Sequence, residues 1–344
     1  MKYNRLGSTG LYVSEICLGT MTFGGGEASQ WQVMGSLTQE AATAMTARAL
    51  EAGVNFFDTA NAYHGGRSEE ILAEALRQTG TRRIDVVLAT KVCRDMGTGP
   101  NDRGISRHHI LDQVDASLKR LGTDHIDLYQ LHAEDADTPL EETLRALDDV
   151  VRAGKVRYIG VSNWPAWRIA RAQGVARAKG WSTFETVQAY YSVAGRDVER
   201  EIVPMAQEEG LGLLVWSPLA GGLLSGKYDG TSEQGRRARL NFPPVEPARL
   251  DAALAAMRPM AQERGCSVAA VALAWLLHQA QVSSVIVGAT RLEQLDDNLA
   301  ATQVELSAED LQQLAAACPL PREYPNWGGV RGPASRRPAP FRPS

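Results

Sequence analysis

Several short apolar runs in this chain end on a residue that can do chemistry. Asn-Phe-Phe ends in Asp58, Val-Leu-Ala-Thr in Lys91, Asp-Leu-Tyr-Gln-Leu in His132, Tyr-Ile-Gly-Val in Ser162 and Asn163, and Leu-Leu-Val in Trp216 and Ser217. Tyr63 follows Asp58 by five residues, on the next loop. Taken singly, each has an ordinary reading: Asp58 caps a turn, Lys91 and His132 sit at the surface, Tyr63 anchors a loop. A carboxylate, an ammonium, an imidazole and a phenol converging on one rim are another matter. Each brings charge or a polar ring toward a crowded pocket, and together they are groups with which enzymes move protons.

The elements that must position them repeat. From Glu15 to about Ala301, apolar runs rich in Val, Ile and Leu alternate with amphipathic stretches, the pattern of strand-helix units. Eight strand-like runs are read: Ile16 to Gly19, Asn55 to Asp58, Val86 to Thr90, Ile126 to Leu131, Val156 to Val161, Thr186 to Gln188, Gly212 to Trp216 and Ser284 to Val287. Most are continuously apolar, as parallel strands covered on one side and packed inside on the other should be. Ser68 and Ser106 each precede an apolar stripe at helical spacing, and Thr138 to Glu141 and Thr290 to Glu293 read as capping boxes. With no long linker, the eight units predict one (β/α)8 TIM barrel, usually roughly 250 residues, rather than a doubly wound sheet. In such a barrel the active site lies at the C-terminal ends of the strands, where the polar residues above are placed. Tyr3 to Val13, with Gly7 and Gly10, reads as a β-hairpin plugging one barrel end, and Ser307 to Ala317 as one further helix. The division expected is one barrel domain over 1–320 and a Pro/Arg-rich, flexible tail over 321–344.

Composition narrows the function classes. Residues that are 44% hydrophobic and 22% charged exclude disorder throughout, and 36 basic against 40 acidic side chains, net −4, give no electrostatic footprint for nucleic acid. No run approaches the ~20 apolar residues of a membrane span, and Met1 to Arg5 lacks the apolar core of a secretion signal, so a cytoplasmic protein with a small-molecule partner is expected, monomeric or homo-oligomeric. Cys17, Cys93, Cys266 and Cys318 are scattered, and His108 and His109 are adjacent rather than one helical turn apart, so no metal site is expected.

The runs Phe57-Asp58-Thr59-Ala60-Asn61-Ala62-Tyr63, Ala89-Thr90-Lys91, Leu131-His132 and Gly160-Val161-Ser162-Asn163 resemble the aldo-keto reductases, over nearly everything from Tyr3 to Ala317. Met21 to Gly24, Leu118 to Gly122 and Trp216 to Gly222 are similar to a bacterial branch of that family. The resemblance implies a catalytic tetrad of Asp58, Tyr63, Lys91 and His132, and the chemistry fits. Carbonyl reduction needs a hydride and a proton. A tyrosine ordinarily has a pKa of ~10, so a Lys91 ammonium held by Asp58 would favour the phenolate and ready Tyr63 as proton donor, while His132 orients and polarises the substrate oxygen.

Hydride comes from a cofactor, because no side chain donates it. A Gly-x-Gly-x-x-Gly fingerprint is absent from the sequence, and the resemblance implies another binding mode. In it Ser162, Asn163 and Gln188 hold the carboxamide and Trp216 stacks on the nicotinamide. The loop from Ser217 to Lys227, with Pro218, Leu219, Gly221, Gly222, Leu223 and Gly226, covers the pyrophosphate, and Gly19, Thr20, Met21 and Asp58 add contacts. Gly221 to Lys227 also matches Gly-x-x-x-x-Gly-Lys, but Tyr228 stands where a P-loop needs Ser or Thr for magnesium. The adenosine end falls to Gly288, Ala289, Thr290, Arg291, Gln294, Asp297 and Asn298, at a helix start suited to phosphate. Arg291 on a 2′-phosphate would make NADP(H) the preferred cofactor, with NAD(H) as the alternative.

For substrate, Met21, Phe23, Trp31, Trp164 and Tyr191 are candidates for an apolar wall, although aromatic residues such as Trp31 and Trp164 equally serve ordinary packing. The insertion from Gly24 to Leu37, the loop from Ala133 to Asp137 and Trp327 in the tail are expected to shape access. The acidic Glu134 and Asp135 after the histidine predict a mouth that favours neutral aldehydes, ketones or keto-sugars. The expected activity is NADPH-dependent carbonyl reduction, reversible as alcohol oxidation. Two alternatives stand beside it: a cofactor-binding regulatory subunit similar to potassium-channel β subunits, and a Schiff-base aldolase using Lys91 as nucleophile. The aldolase needs a lysine of depressed pKa, which an acidic neighbour opposes.

Overall fold

The structure is a computed structural model that describes residues 1–25, 33, 35–226, 240–321 and 323–324. Trp31, Lys227 and Trp327, part of the insertion from Gly24 to Leu37 and the tail beyond Tyr324 lie outside the described residues. The chain opens with β1 (Tyr3–Arg5) and β2 (Tyr12–Ser14), paired antiparallel with Tyr3 opposite Ser14. Eight parallel strands then close into a barrel: β3 (Ile16–Gly19), β4 (Phe56–Asp58), β5 (Val87–Val92), β6 (Ile126–Leu131), β7 (Val156–Ser162), β8 (Phe184–Tyr190), β9 (Gly212–Trp216) and β10 (Val282–Val287), with β10 returning to β3. This is the expected TIM barrel with its hairpin.

The helices outside are α1 (Gln39–Glu51), α2 (Arg67–Gln78), α3 (Arg107–Leu121), α4 (Leu140–Arg152), α5 (Ala166–Lys179), α6 (Ile202–Glu209), α7 (Pro247–Arg264), α8 (Val268–Leu277), α9 (Leu292–Ala300) and α10 (Ala308–Ala317). Ser106 caps α3 by accepting from the His109 amide, and Ser307 with Asp310 forms a capping box on α10. Three expected caps are absent because their side chains have other partners. Thr138 donates to Asp135, leaving Pro139 at the start of α4; Thr290 donates to Gln294; and Ser68, already inside α2, donates to the Thr20 carbonyl.

Strand periodicity decides what the barrel contains. Cys17, Phe56, Val87, Ala89, Leu128, Leu214 and Ile286 form one buried cluster with Leu6 and Val13 of the hairpin. Side chains two residues apart share a face, so this phase puts Asp58, Lys91 and Gln130 inside as well, nearer the C-terminal ends. The intervening Phe57, Leu88 and Tyr129 join the larger cluster shared with the helices. The interior is therefore apolar toward the hairpin and polar toward the opposite rim. At Gly7, with φ +59, a Cβ would meet the Glu185 carbonyl oxygen at 2.2 Å, so only glycine lets the hairpin press this close to β8. Among the described residues no helix is long and apolar enough to cross a membrane.

Candidate active site

Asp58, Lys91, Tyr63 and His132 come together as expected. Lys91 ends the inside phase of β5 and is fully buried, its Nζ donating to Asp58 Oδ2 at 2.5 Å, the Thr59 carbonyl at 2.8 Å and Tyr63 Oη at 3.3 Å. Asp58 Oδ1 accepts from Gln130 Nε2 and Gln188 Nε2, each at 3.0 Å. Both carboxylate oxygens are thus held, one by Lys91 of the neighbouring β5 and the other by Gln130 and Gln188 from further round the barrel, on β6 and β8. Gln130 went unnoticed in the sequence, although it stands in the same inward phase, opposite Lys91 in the register.

Tyr63 lies on a tight turn, Tyr63–Gly66, in which His64 adopts φ 50. The bond from Lys91 uses a lone pair of the phenol and does not consume its proton. Burial raises the Tyr63 pKa; Lys91 opposes this and Asp58 reinforces it, and the balance stays above the ordinary value. The expectation that Lys91 would bring the phenol toward ionisation is therefore corrected: its field acts in that direction, but removal from water is the larger effect, and Tyr63 holds its proton at neutral pH. For Lys91, burial favours the neutral amine, but Asp58 and Tyr63 outweigh it and the pKa is raised. A charged ammonium cannot serve as a Schiff-base nucleophile.

His132 packs edge-on against Tyr63, ring centroids 5.7 Å apart at 82°. Its amide donates to the Val92 carbonyl at 2.8 Å and its own carbonyl accepts from Asn163 Nδ2 at 2.9 Å, fixing the main chain on both sides. Burial, then Lys91 and Arg94, hold its pKa well below the ordinary histidine value, so the ring is neutral, and its buried Nδ1 has no partner among the described residues.

One cavity of about 1120 Å³ connects this end to the start of α9. It is lined by Gly19, Thr20, Met21, Asp58, Tyr63, His132, Asn163, Gln188, Trp216, Ser217, Pro218, Leu219, Gly221, Gly222, Gly288, Ala289, Thr290, Arg291, Gln294, Asp297 and Asn298, all singled out from the sequence. Arg94, Asp95, Leu240 and Phe242 also line it and were missed.

Other expected positions lie elsewhere. Ser162 sits behind the wall, donating to the Gln188 carbonyl and accepting from Asn163 Nδ2, so it orients Asn163. Leu223 is buried in the core, and Gly226 packs near Val268 without lining the cavity. Phe23, Trp164 and Tyr191 do not wall the pocket. All are buried in the core, Trp164 edge-on to Phe184, and Tyr191 against Trp275 with its hydroxyl donating to Glu199. Of the expected apolar wall, Met21 alone among the described residues lines the cavity. Trp216, expected to stack on a nicotinamide, stacks here on Phe242 at 5.6 Å and 12°, with Tyr190 tilted against it and its Nε1 donating to Asn163 Oδ1.

The expected acidic mouth is also corrected. Glu134 pairs with Arg168 at 2.6 Å, Asp135 accepts from the amides of Ile105 and Asp137 and from Thr138, and neither residue lines the cavity.

The rest of the cavity runs from the turn after β9 to the start of α9. After β9, Ser217, Ala220, Gly221, Gly222 and Gly226 all have positive φ, and the turn closes on itself: the amides of Ala220, Gly221 and Gly222 donate to the Ser217 carbonyl, Ser217 Oγ and the Leu219 carbonyl. At the far end no side chain caps α9, and Arg291 stands at its N-cap position. A helix start and a guanidinium together favour phosphate.

The aldo/keto reductase family model matches residues 15–318. An uncharacterized oxidoreductase, YrpG, of Bacillus subtilis is 41% identical over 331 residues, 93% of this chain and 97% of the relative. A probable voltage-gated potassium channel subunit beta of Arabidopsis thaliana is 39% identical, covering 88% and 92%, and a versiconal hemiacetal acetate reductase of Aspergillus parasiticus is 36% identical, covering 91% and 96%. With the barrel, the four converging residues and a match over nearly the whole chain, this protein belongs to the aldo/keto reductase family and is an oxidoreductase acting on carbonyl or alcohol groups.

Proposed function

We propose that the chain is an NADPH-dependent reductase of aldehyde or ketone groups on small molecules, running in reverse as an alcohol dehydrogenase, with residues 1–320 acting as one barrel unit. The observation that carries this reading is the chain of contacts from Asp58 through Lys91 to Tyr63, beside a neutral His132 on the same cavity wall.

A bound reduced nicotinamide dinucleotide supplies the hydride. Asn163 and Gln188 would hold its carboxamide, Trp216 its ring in place of the stack on Phe242, the loop from Ser217 to Gly222 its pyrophosphate, and Arg291 a 2′-phosphate; what supports this is that all of them line the one cavity that Tyr63 and His132 share. Tyr63 Oη gives its proton to the substrate oxygen, and Lys91, already donating to that Oη, stabilises the phenolate left behind. Asp58 keeps Lys91 charged and in place. His132, held neutral, is a donor to the carbonyl oxygen that brings no second charge into the pocket. In oxidation the same groups act in reverse.

The test follows reduced-nicotinamide absorbance with NADPH or NADH and a panel of aldehydes and ketones, native protein against Tyr63→Phe. Loss of about 10²–10⁴-fold in kcat supports Tyr63 as proton donor, and retained activity overturns it. A second reading rests on the relatives named as potassium-channel β subunits. Tight NADPH binding with no turnover across the panel would favour that regulatory role.

A further inference from the structure

Among the described residues, the groups around Tyr63 and His132 leave one charge without a counterpart. Asp58 and Lys91 neutralise each other at 2.5 Å, His132 is neutral, and Asp95, at the cavity wall, has Arg103 at 3.8 Å. Arg94 also lines the cavity, is exposed, and has no hydrogen bond or ion pair among the described residues. Its place on the main chain is set by its neighbours. β5 ends at Val92, whose carbonyl accepts from the His132 amide, and the Cys93 carbonyl accepts from the Gly104 amide at 2.7 Å. The strand that carries Lys91 thus delivers Arg94 to the same rim, beside His132.

We propose that Arg94 is a specificity residue that binds a carboxylate on the substrate, so that the preferred substrates are small aldehydes or ketones bearing a carboxylate rather than neutral ones. This rests on the reading of Tyr63 and His132 as the end of the cavity where the carbonyl is reduced. A planar guanidinium matches a carboxylate through two parallel N–H donors, a bidentate geometry that a neutral carboxamide cannot satisfy. Asp95, paired with Arg103 only at 3.8 Å, keeps a carboxylate beside the guanidinium, and its repulsion of a phosphate's second charge offsets the added attraction of that charge to Arg94. The acidic residues that predicted a neutral substrate offer no counter-argument, since Glu134 and Asp135 are engaged elsewhere and off the cavity wall.

The experiment compares para-carboxybenzaldehyde with its neutral para-carboxamide, using native protein, Arg94→Gln and Arg94→Lys. The ratio of kcat/KM, carboxylate over amide, should favour the carboxylate in the native protein and fall about 10–100-fold in Arg94→Gln, chiefly through KM, with partial recovery in Arg94→Lys. An unchanged ratio overturns the proposal. A second arm needs no turnover: calorimetric titration of the cofactor-loaded protein with para-methylbenzoate, para-methylbenzamide and phenyl phosphate. Benzoate should bind the native protein about 10–100-fold more tightly than Arg94→Gln. Equal binding overturns the assignment, and tighter binding of phenyl phosphate than of benzoate overturns the choice of carboxylate. Arg94-dependent benzoate binding without reduction of either aldehyde would sustain Arg94 as the anion site and count against the reductase reading instead.

Discussion

Lys91 and Asp58 form an ion pair at 2.5 Å with both side chains out of water, the lysine completely. A pair of this kind binds each partner to the other more than it stabilises the fold, because removing one leaves the other charged and unpaired in a low dielectric. Lys91→Met should therefore cost about 3–5 kcal/mol in denaturant unfolding, and Asp58→Asn a comparable amount. The double variant should regain most of that stability while all three remain inactive. If the double variant is as unstable as the sum of the singles, the two residues are not coupled in this way.

The neutral state of His132 has a sign that can be measured. Its pKa is depressed by burial first, and by Lys91 and Arg94, so below the unfolded value of ~6.5 the unfolded chain takes up a proton that the folded chain refuses. Stability then falls as pH drops through that value and continues to fall toward the folded pKa. His132→Gln removes this contribution and leaves those of the other histidines, so between about pH 7 and pH 5 the variant should lose less unfolding free energy than the native protein. Equal losses would mean that the imidazole titrates normally in the folded state.

The strands and the tetrad were legible because a barrel writes them in a simple code. A continuously apolar run is a strand buried on both faces, and the polar residue ending it is where the run meets the rim. Gln130 escaped notice because it lies inside a run, and only closure of the barrel brings it to Asp58. Arg94 escaped because it lies past Lys91, the polar residue that ends the run, although two residues past the end of β5 is still the rim. Phe242 is remote in sequence from the strand end it stacks on. The aromatic wall failed for another reason: Phe23, Trp164 and Tyr191 are apolar residues near the right strand ends, and nothing in residue type says whether such a ring faces a cavity or a helix. Thr138, Ser68 and Thr290 have the chemistry of caps, but each found a nearer partner once the chain folded.

Arg291 is exposed at the cavity's far end, at the uncapped start of α9. If it reads a 2′-phosphate, the interaction exists with NADPH and is missing with NADH, and a charge-assisted bond of this type is worth about 1.5–3 kcal/mol. Arg291→Ala should reduce the preference for NADPH over NADH by about 10–100-fold, as measured by the KM of each cofactor. An equal change with both cofactors would assign the residue to a shared part of the dinucleotide.

Gly7 tests how tightly the hairpin closes the barrel's other end. Gly7 and Gly80 both have positive φ, +59 and +68, so alanine at either bears similar backbone strain, about 1–2 kcal/mol. They differ in what a Cβ meets: at Gly80 nothing lies within 4 Å, whereas at Gly7 the Glu185 carbonyl oxygen stands at 2.2 Å and belongs to a strand of the barrel. A backbone atom of a closed sheet cannot step aside as a side chain can, so the hairpin itself has to lift, carrying Leu6 and Val13 away from the interior cluster. Gly7→Ala should therefore be less stable than Gly80→Ala by about 1–3 kcal/mol in denaturant unfolding. Because the hairpin is at the end of the barrel opposite Tyr63, the Gly7→Ala protein that remains folded should keep its KM for cofactor. Equal destabilisation in the two variants would mean that the hairpin rests loosely on β8 and that the barrel is closed without it.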